Sequence, residues 1–218
     1  MGAARRLCPQ PDHRGSAWPL SMPQGRRPIA MAYVQGAVIM TQTINGTAGN
    51  DTLTGTNVGD AANPDGIDIL NGLAGNDTLQ GLGGNDVIAG GAGADAMSGG
   101  AGIDTLTYAN ATAGVQVALN AFAGSGEAAG DTMSGFENLT GSNFEDQLAG
   151  DSGHNVIQGG NGNDYIQISS GSDTLDGGAG GADLLDCRVW GAGLTVNLTA
   201  GTLAGPAPAA QRSAASSG

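Results

Sequence analysis

Five aspartates, Asp68, Asp77, Asp86, Asp95 and Asp104, follow one another at intervals of nine residues. Two places after each stands a large apolar residue, Leu70, Leu79, Ile88, Met97 or Leu106, and two places before each stands a glycine. The unit reads G-x-x-G-x-D-x-U-x, where U is large and apolar and Gly72, Gly81, Gly90 and Gly99 fill the first position. Glycine takes positive φ in a tight turn, so backbone carbonyl oxygens can be aimed inward at something small. The aspartate at position six adds a hard anionic oxygen. Carboxylates together with inward carbonyls make an oxygen cage, and calcium takes about six to eight such oxygens. Magnesium, with its strict octahedron and tightly held water, suits this cage less well.

Such a cage needs elements that hold the aspartates in line. The short x-U-x segment has strand periodicity, so U points inward and its two neighbours outward. Two nine-residue half-coils complete one turn of a flattened helix, which sets each aspartate beside the one eighteen residues away. Asp68, Asp86 and Asp104 then line one edge, and Asp77 and Asp95 the other. Neighbouring repeats stack their U residues into one continuous row, because no single repeat can bury its own.

The units extend beyond this stretch. Gly46 to Thr54 (GTAGNDTLT) carries Asp51, and Gly55 to Asn63 (GTNVGDAAN) is a worn unit in which Val58 replaces glycine and Ala62 the large apolar residue, so Asp60 departs from the pattern. A second array runs from Gly141 as GSNFEDQLA, GDSGHNVIQ, GGNGNDYIQ, ISSGSDTLD and GGAGGADLLD, the last with one inserted residue. Its sixth positions are Asp146, Asn155, Asp164, Asp173 and Asp183. Asn155 keeps an oxygen and loses the charge, and Phe144 replaces the glycine before Asp146. A longer repeat lies over the short one: DTLTYANATAGVQVAL from Asp104 aligns with DLLDCRVWGAGLTVNL from Asp183, so the array and its flank are duplicated together.

Composition agrees with a stacked repeat. Glycine fills 41 of 218 positions and aromatic residues only 4%, too little bulk for a globular core, while no Gly-X-Y period supports collagen. Nineteen acidic residues between Met40 and Ala200 face the single Arg188, and the chain has no lysine. A segment so charged repels itself without cations.

These nonapeptides resemble the repeats-in-toxin (RTX, hemolysin-type) calcium-binding family from about Gly46 to Gly201, about seven tenths of the chain. The resemblance implies an all-β, right-handed parallel β-roll (a β-solenoid), several calcium ions held between turns, folding triggered by calcium, and export by type I secretion machinery. The family's metal-ligand position maps onto Asp51, Asp68, Asp77, Asp86, Asp95, Asp104, Asp146, Asn155, Asp164, Asp173 and Asp183. Aspartates outside the frame, such as Asp65, Asp151, Asp176 and Asp186, read as turn or solvated residues.

Catalytic readings fare worse. GDSGH at Gly150 to His154 is similar to the nucleophile stretch of chymotrypsin-like proteases, where Ser needs a His base oriented by a buried Asp and an oxyanion hole, yet Ser152 is position three of a repeat and a two-barrel protease needs more apolar strand than this chain has. His13 and His154 are the only histidines, and neither H-E-x-x-H nor G-x-S-x-G occurs. Glycine-rich fragments such as GLGGND at Gly81 lack the downstream lysine of a phosphate loop. Nucleic acid is an unsuitable partner for so acidic a chain, and no run reaches the roughly twenty apolar residues of a membrane span. Cys8 and Cys187 lie in unrelated contexts, so stapling by calcium rather than by disulfides is expected.

The expected organisation is a non-repeat leader over 1–39, a first array over 40–106, a β flank over 107–140 including VQVAL and FENLTGS, a second array over 141–186, a partial flank over 187–203 and a disordered Pro/Ala/Ser tail over 204–218. The leader holds five of the seven arginines and no repeat phase, which suggests a start upstream of the true one at Met31 or Met40; the alternative is a short signal-peptide core in PIAMAYVQGAVIM. The expected function is that of a secreted, extracellular or cell-surface calcium-binding protein with a structural or secretion-carrier role and no catalysis of its own. The alternatives are a detached C-terminal module of an exported protease, lipase or toxin, or an adhesin component.

Overall fold

The computed structural model describes residues 27–34, 37–58, 65–119, 122–167, 169–180, 182–186, 195–197 and 201–204. Asp60, Cys8, Cys187, the chain before residue 27 and the Pro/Ala/Ser tail lie outside the described residues. Among those described, one 3-10 turn, Gly126–Ala128, is the only helical element, and strands make up the rest of the regular structure.

The strands, numbered in chain order, form three sheets. The largest has nine strands in the spatial order β1 (Arg27–Val34), β2 (Ala37–Asn45), β4 (Ile67–Ala74), β6 (Val87–Ala92), β8 (Thr105–Thr107), β12 (Asn138–Thr140), β14 (Val156–Gly162), β16 (Thr174–Gly180) and β18 (Thr195–Asn197). A four-stranded sheet runs β11 (Thr132–Ser134), β7 (Ala96–Ala101), β5 (Thr78–Gly83), β3 (Thr52–Thr54). A six-stranded sheet runs β10 (Phe122–Ser125), β9 (Gln116–Ala118), β13 (Gln147–Ala149), β15 (Tyr165–Gln167), β17 (Asp183–Asp186), β19 (Gly201–Ala204). Within each array, successive half-coils alternate between the long sheet and one of the shorter ones, as a parallel β-roll requires. All pairs are parallel except β1 with β2 and β9 with β10.

The apolar position builds the core, but not as one row. In the long sheet Leu70, Ile88, Leu106, Leu139, Ile157 and Leu175 stand in register. Leu53, Leu79, Met97 and Met133 form a row in the four-stranded sheet, and Val117, Leu148, Ile166 and Leu185 one in the six-stranded sheet. Nine residues advance the chain by half a coil, so neighbouring units face each other across the roll rather than stacking side by side. Nearly all these side chains are fully buried, each stabilising by about 1.5–3 kcal/mol. One such residue in nine is thin against a backbone ordering cost of about 1–2 kcal/mol per residue. The remaining cohesion has to come from the backbone ladders between coils and from the polar rims.

The eighteen-residue coil holds through the first array, with Ile69 beside Val87 and Val87 beside Thr105. The first coil is longer. Thr41 pairs with Ile67 and Thr52 with Thr78, so each of these turns takes eight residues more than the later ones. Within the first coil Gly55 faces Asp68 thirteen residues on, while Gly72 faces Asp77 after five. Val58, the last described residue before the worn unit's Asp60, is exposed.

Candidate metal centre

The frame aspartates form columns along the rims of the roll. In the first column the backbone N–H of Asp68 donates to Asp86 Oδ1 and that of Asp86 to Asp104 Oδ1, each at 2.8 Å. In the second, Asp51 N–H donates to Asp77 Oδ1, Asp77 to Asp95 and Asp95 to Asp131, again at 2.8 Å. The expected edges, Asp68, Asp86 and Asp104 against Asp77 and Asp95, are therefore the observed ones. Asp51 joins the second edge through the enlarged coil. In the second array Asp146 N–H donates to Asp164 Oδ1 at 3.0 Å and Asp164 to Asp183 at 3.1 Å, while Asn155 N–H donates to Asp173 Oδ1 at 3.1 Å on the long-sheet side.

Asp77, Asp86, Asp95, Asp104, Asp146, Asp164, Asp173 and Asp183 thus each spend Oδ1 as a rung between coils. The other oxygen carries the chemistry. In Asp77, Asp86, Asp95, Asp104, Asp164 and Asp183 Oδ2 is buried and has no hydrogen-bond partner. A buried carboxylate oxygen without a donor or counter-charge is strongly unfavourable, and no Lys or Arg occurs between residues 28 and 187 to supply one.

The position-one glycines keep a space beside these oxygens. A methyl built on Gly81 would lie 2.2 Å from Asp86 Oδ2 and 2.4 Å from the Gly99 carbonyl oxygen of the next coil. On Gly72 it would lie 2.4 Å from Asp77 Oδ2 and 2.3 Å from Gly90 O, and on Gly159 2.3 Å from Asp164 Oδ2 and 2.4 Å from Gly177 O. Each such loop therefore gathers one free carboxylate oxygen and a carbonyl from the next turn around a point that only glycine leaves open. Among the described residues no three His, Cys, Asp or Glu side chains converge, so a cation here draws on backbone carbonyls. All the donors are hard oxygens, the donor set of calcium.

Crowding of like charge in a dry rim shows in the acidities. Burial, reinforced by Asp104 and Asp68, pushes the Asp86 carboxyl up to about 6 against the lowering effect of the Asp68 N–H. Burial pushes Asp164 up to about 7, with Asp146 and Asp183 adding to the rise. Asp95 and Asp104 are raised by the same desolvation. A divalent cation would reverse this balance by favouring the charged form.

Two rim acids escape the nonapeptide reading. Asp131 ends the second column, buried, with Oδ1 on the Asp95 N–H and Oδ2 on the Tyr108 hydroxyl at 2.8 Å; burial pushes it up to about 6 and also raises the Tyr108 hydroxyl. Glu137 continues the first column, accepting the Asp104 N–H on Oε2 at 2.8 Å, and its carbonyl accepts Asn155 Nδ2. The signal lay in the phase: Asp131 follows Asp104 by three whole units, and Glu137 precedes Asp146 by one within G-F-E-N-L. Of the acids outside the frame, Asp151 and Asp176 accept the N–H two residues ahead, as turn residues do. Asp186 is instead buried and accepts the Tyr165 hydroxyl. His154 Nδ1 donates to the Ser172 carbonyl, a rung between coils.

Alternating half-coils with buried carboxylate columns at their rims define a parallel β-roll with a hard-cation donor set. The RTX calcium-binding nonapeptide repeat matches the chain in four copies, at residues 41–57, 71–106, 140–175 and 169–185. The chain therefore carries RTX nonapeptide repeats, whose ligand is calcium. A comparison with curated proteins gives no match. No helix among the described residues is long and apolar enough to cross a membrane.

Proposed function

We propose that this protein is an exported module whose folding is switched on by calcium, serving a structural or secretion-carrier role without catalysis of its own. Calcium enters the rim loops, where the sixth-position side chains of the two arrays and the carbonyls of neighbouring coils act as ligands. One observation carries the reading: six buried carboxylate oxygens without a partner stand in columns within a stretch, 28–187, that contains no Lys or Arg. In calcium-poor cytoplasm the acids repel and the thin core cannot order the chain, so it stays extended for passage through a type I secretion channel. Outside the cell calcium neutralises the rims and the roll closes. Metal binding and folding are then one process, as in other sites that do not exist in the unfolded chain.

Far-ultraviolet circular dichroism during a calcium titration tests this. The expected result is a largely unfolded spectrum in excess chelator and a strand spectrum with calcium. Equal strand signal in both conditions refutes the folding switch.

A further inference from the structure

The eleven sixth-position side chains fall into two groups, and the residue at position two of the same loop separates them. In the six loops whose Oδ2 is unpartnered, position two has a left-handed backbone: Leu73 at φ 79° before Asp77, Leu82 at 78° before Asp86, Gly91 at 94° before Asp95, Gly100 at 112° before Asp104, Gly160 at 115° before Asp164 and Gly178 at 93° before Asp183. In four of the other five, those of Asp51, Asp146, Asn155 and Asp173, position two bears a side-chain oxygen, and Thr47, Ser142 and Asp151 avoid positive φ; Asp68 is approached instead by Thr56, position two of the preceding worn unit. Thr47 donates both its N–H, at 2.6 Å, and its hydroxyl, at 2.8 Å, to Asp51 Oδ2. Thr56 does the same to Asp68 Oδ2 at 2.6 and 3.0 Å. The Ser142 N–H reaches Asp146 Oδ2 at 2.6 Å and its hydroxyl Oδ1 at 2.8 Å. The Asp151 N–H donates to Asn155 Oδ1, and the Ser169 hydroxyl to Asp173 Oδ2.

We propose that position two selects which loops take calcium: the six left-handed loops bind one ion each, and a Ser, Thr or Asp there closes the loop with its own hydrogen bonds in place of the metal. The physical reason is direct. A cation needs acceptors around it, and an inward N–H or hydroxyl offers a proton to the oxygen the ion would use. A left-handed position two withholds that N–H and leaves Oδ2 bare, whereas β-branched Thr resists positive φ and keeps the loop closed. Two loops make a natural pair: Gly46 to Asp51 reads GTAGND and Gly72 to Asp77 reads GLAGND, differing at position two alone. They are also neighbours in one column, joined by the Asp51 N–H on Asp77 Oδ1. Thr47 and Leu73 are both exposed, Leu73 by 53%, so exchanging them leaves the core untouched. Four open loops lie in the first array and two in the second.

This inference rests on the calcium reading, and the count of bound ions separates the two. Equilibrium dialysis of the full chain against calcium alone should give six ions for the parent protein. Thr47→Leu, which turns GTAGND into GLAGND, should bind one more, Leu73→Thr one fewer, and the double exchange the parental number. Thr47→Ser keeps the hydroxyl and should also keep the parental number. Absence of calcium on the parent refutes the calcium reading itself. A parent that binds calcium while Thr47→Leu and Leu73→Thr both keep the parental count overturns the selection by position two.

Discussion

Leu139→Ala tests whether the two arrays share one cooperative sheet. Leu139 is fully buried and sits in β12, between Leu106 of the first array and Ile157 of the second. Truncating such a residue costs about 2–5 kcal/mol, and about 3 kcal/mol is a fair centre. Folding is coupled to calcium, so the loss appears as a higher midpoint. Spread over the six open loops, it is about 0.5 kcal/mol per ion, which at about 1.4 kcal/mol per decade raises the midpoint about 2-fold. If β12 instead joined two independent rolls, the loss would fall on the two open loops of the second array. That is about 1.5 kcal/mol per ion, or about a 10-fold shift of one phase with the other unmoved. The assay is a circular dichroism calcium titration of parent and variant side by side. A single transition shifted about 2-fold is expected. A split curve with an unmoved first phase refutes the shared sheet, and an unshifted curve refutes the packing assigned to Leu139.

Acid should partly replace calcium. The folded carboxyls of Asp86 and Asp131 at about 6 and Asp164 at about 7 lie above the ordinary value of 3.8. The folded state therefore binds protons more tightly, and this stabilisation is full below about pH 4 and is lost as pH rises through about 6 to 7. In excess chelator, strand signal should grow on acidification across that window, and a constant or falling signal counts against the buried rim. Calcium affinity should rise with pH over the same window, because its ligands must lose their protons. Gly81→Ala puts a methyl 2.2 Å from Asp86 Oδ2 and 2.4 Å from Gly99 O, so dialysis should show one calcium ion lost; an unchanged count would place the metal elsewhere.

Much of the architecture was legible because the nine-residue period is itself a geometric statement. An aspartate, a glycine and an apolar residue recurring in fixed phase dictate alternate half-coils, a buried U and a rim acid, whatever the intervening residues. Hence the all-β roll, the donor chemistry and the two edges through Asp68, Asp86 and Asp104 or Asp77 and Asp95 followed from Gly66 to Leu106 alone. Asp131 and Glu137 escaped because the stretch from Tyr108 to Gly130 interrupts the units, although both acids remain in phase with an array.

The period could not decide how the arrays join and how each loop closes. The duplicated segments put Asp104 beside β8 in the nine-stranded sheet but Asp183 in the six-stranded one, because the span from one to the other is not a whole number of eighteen-residue coils. Likewise the length of the first coil, eight residues above the later ones, follows only from Thr56 on Asp68 and Thr52 beside Thr78. Local spacing sufficed for the repeat, its cation chemistry and the residues facing inward, since all three are settled within a unit or two of chain. Which coils are neighbours and which carboxylate oxygens stay bare emerged only in the folded molecule, since both depend on where the next turn of backbone passes.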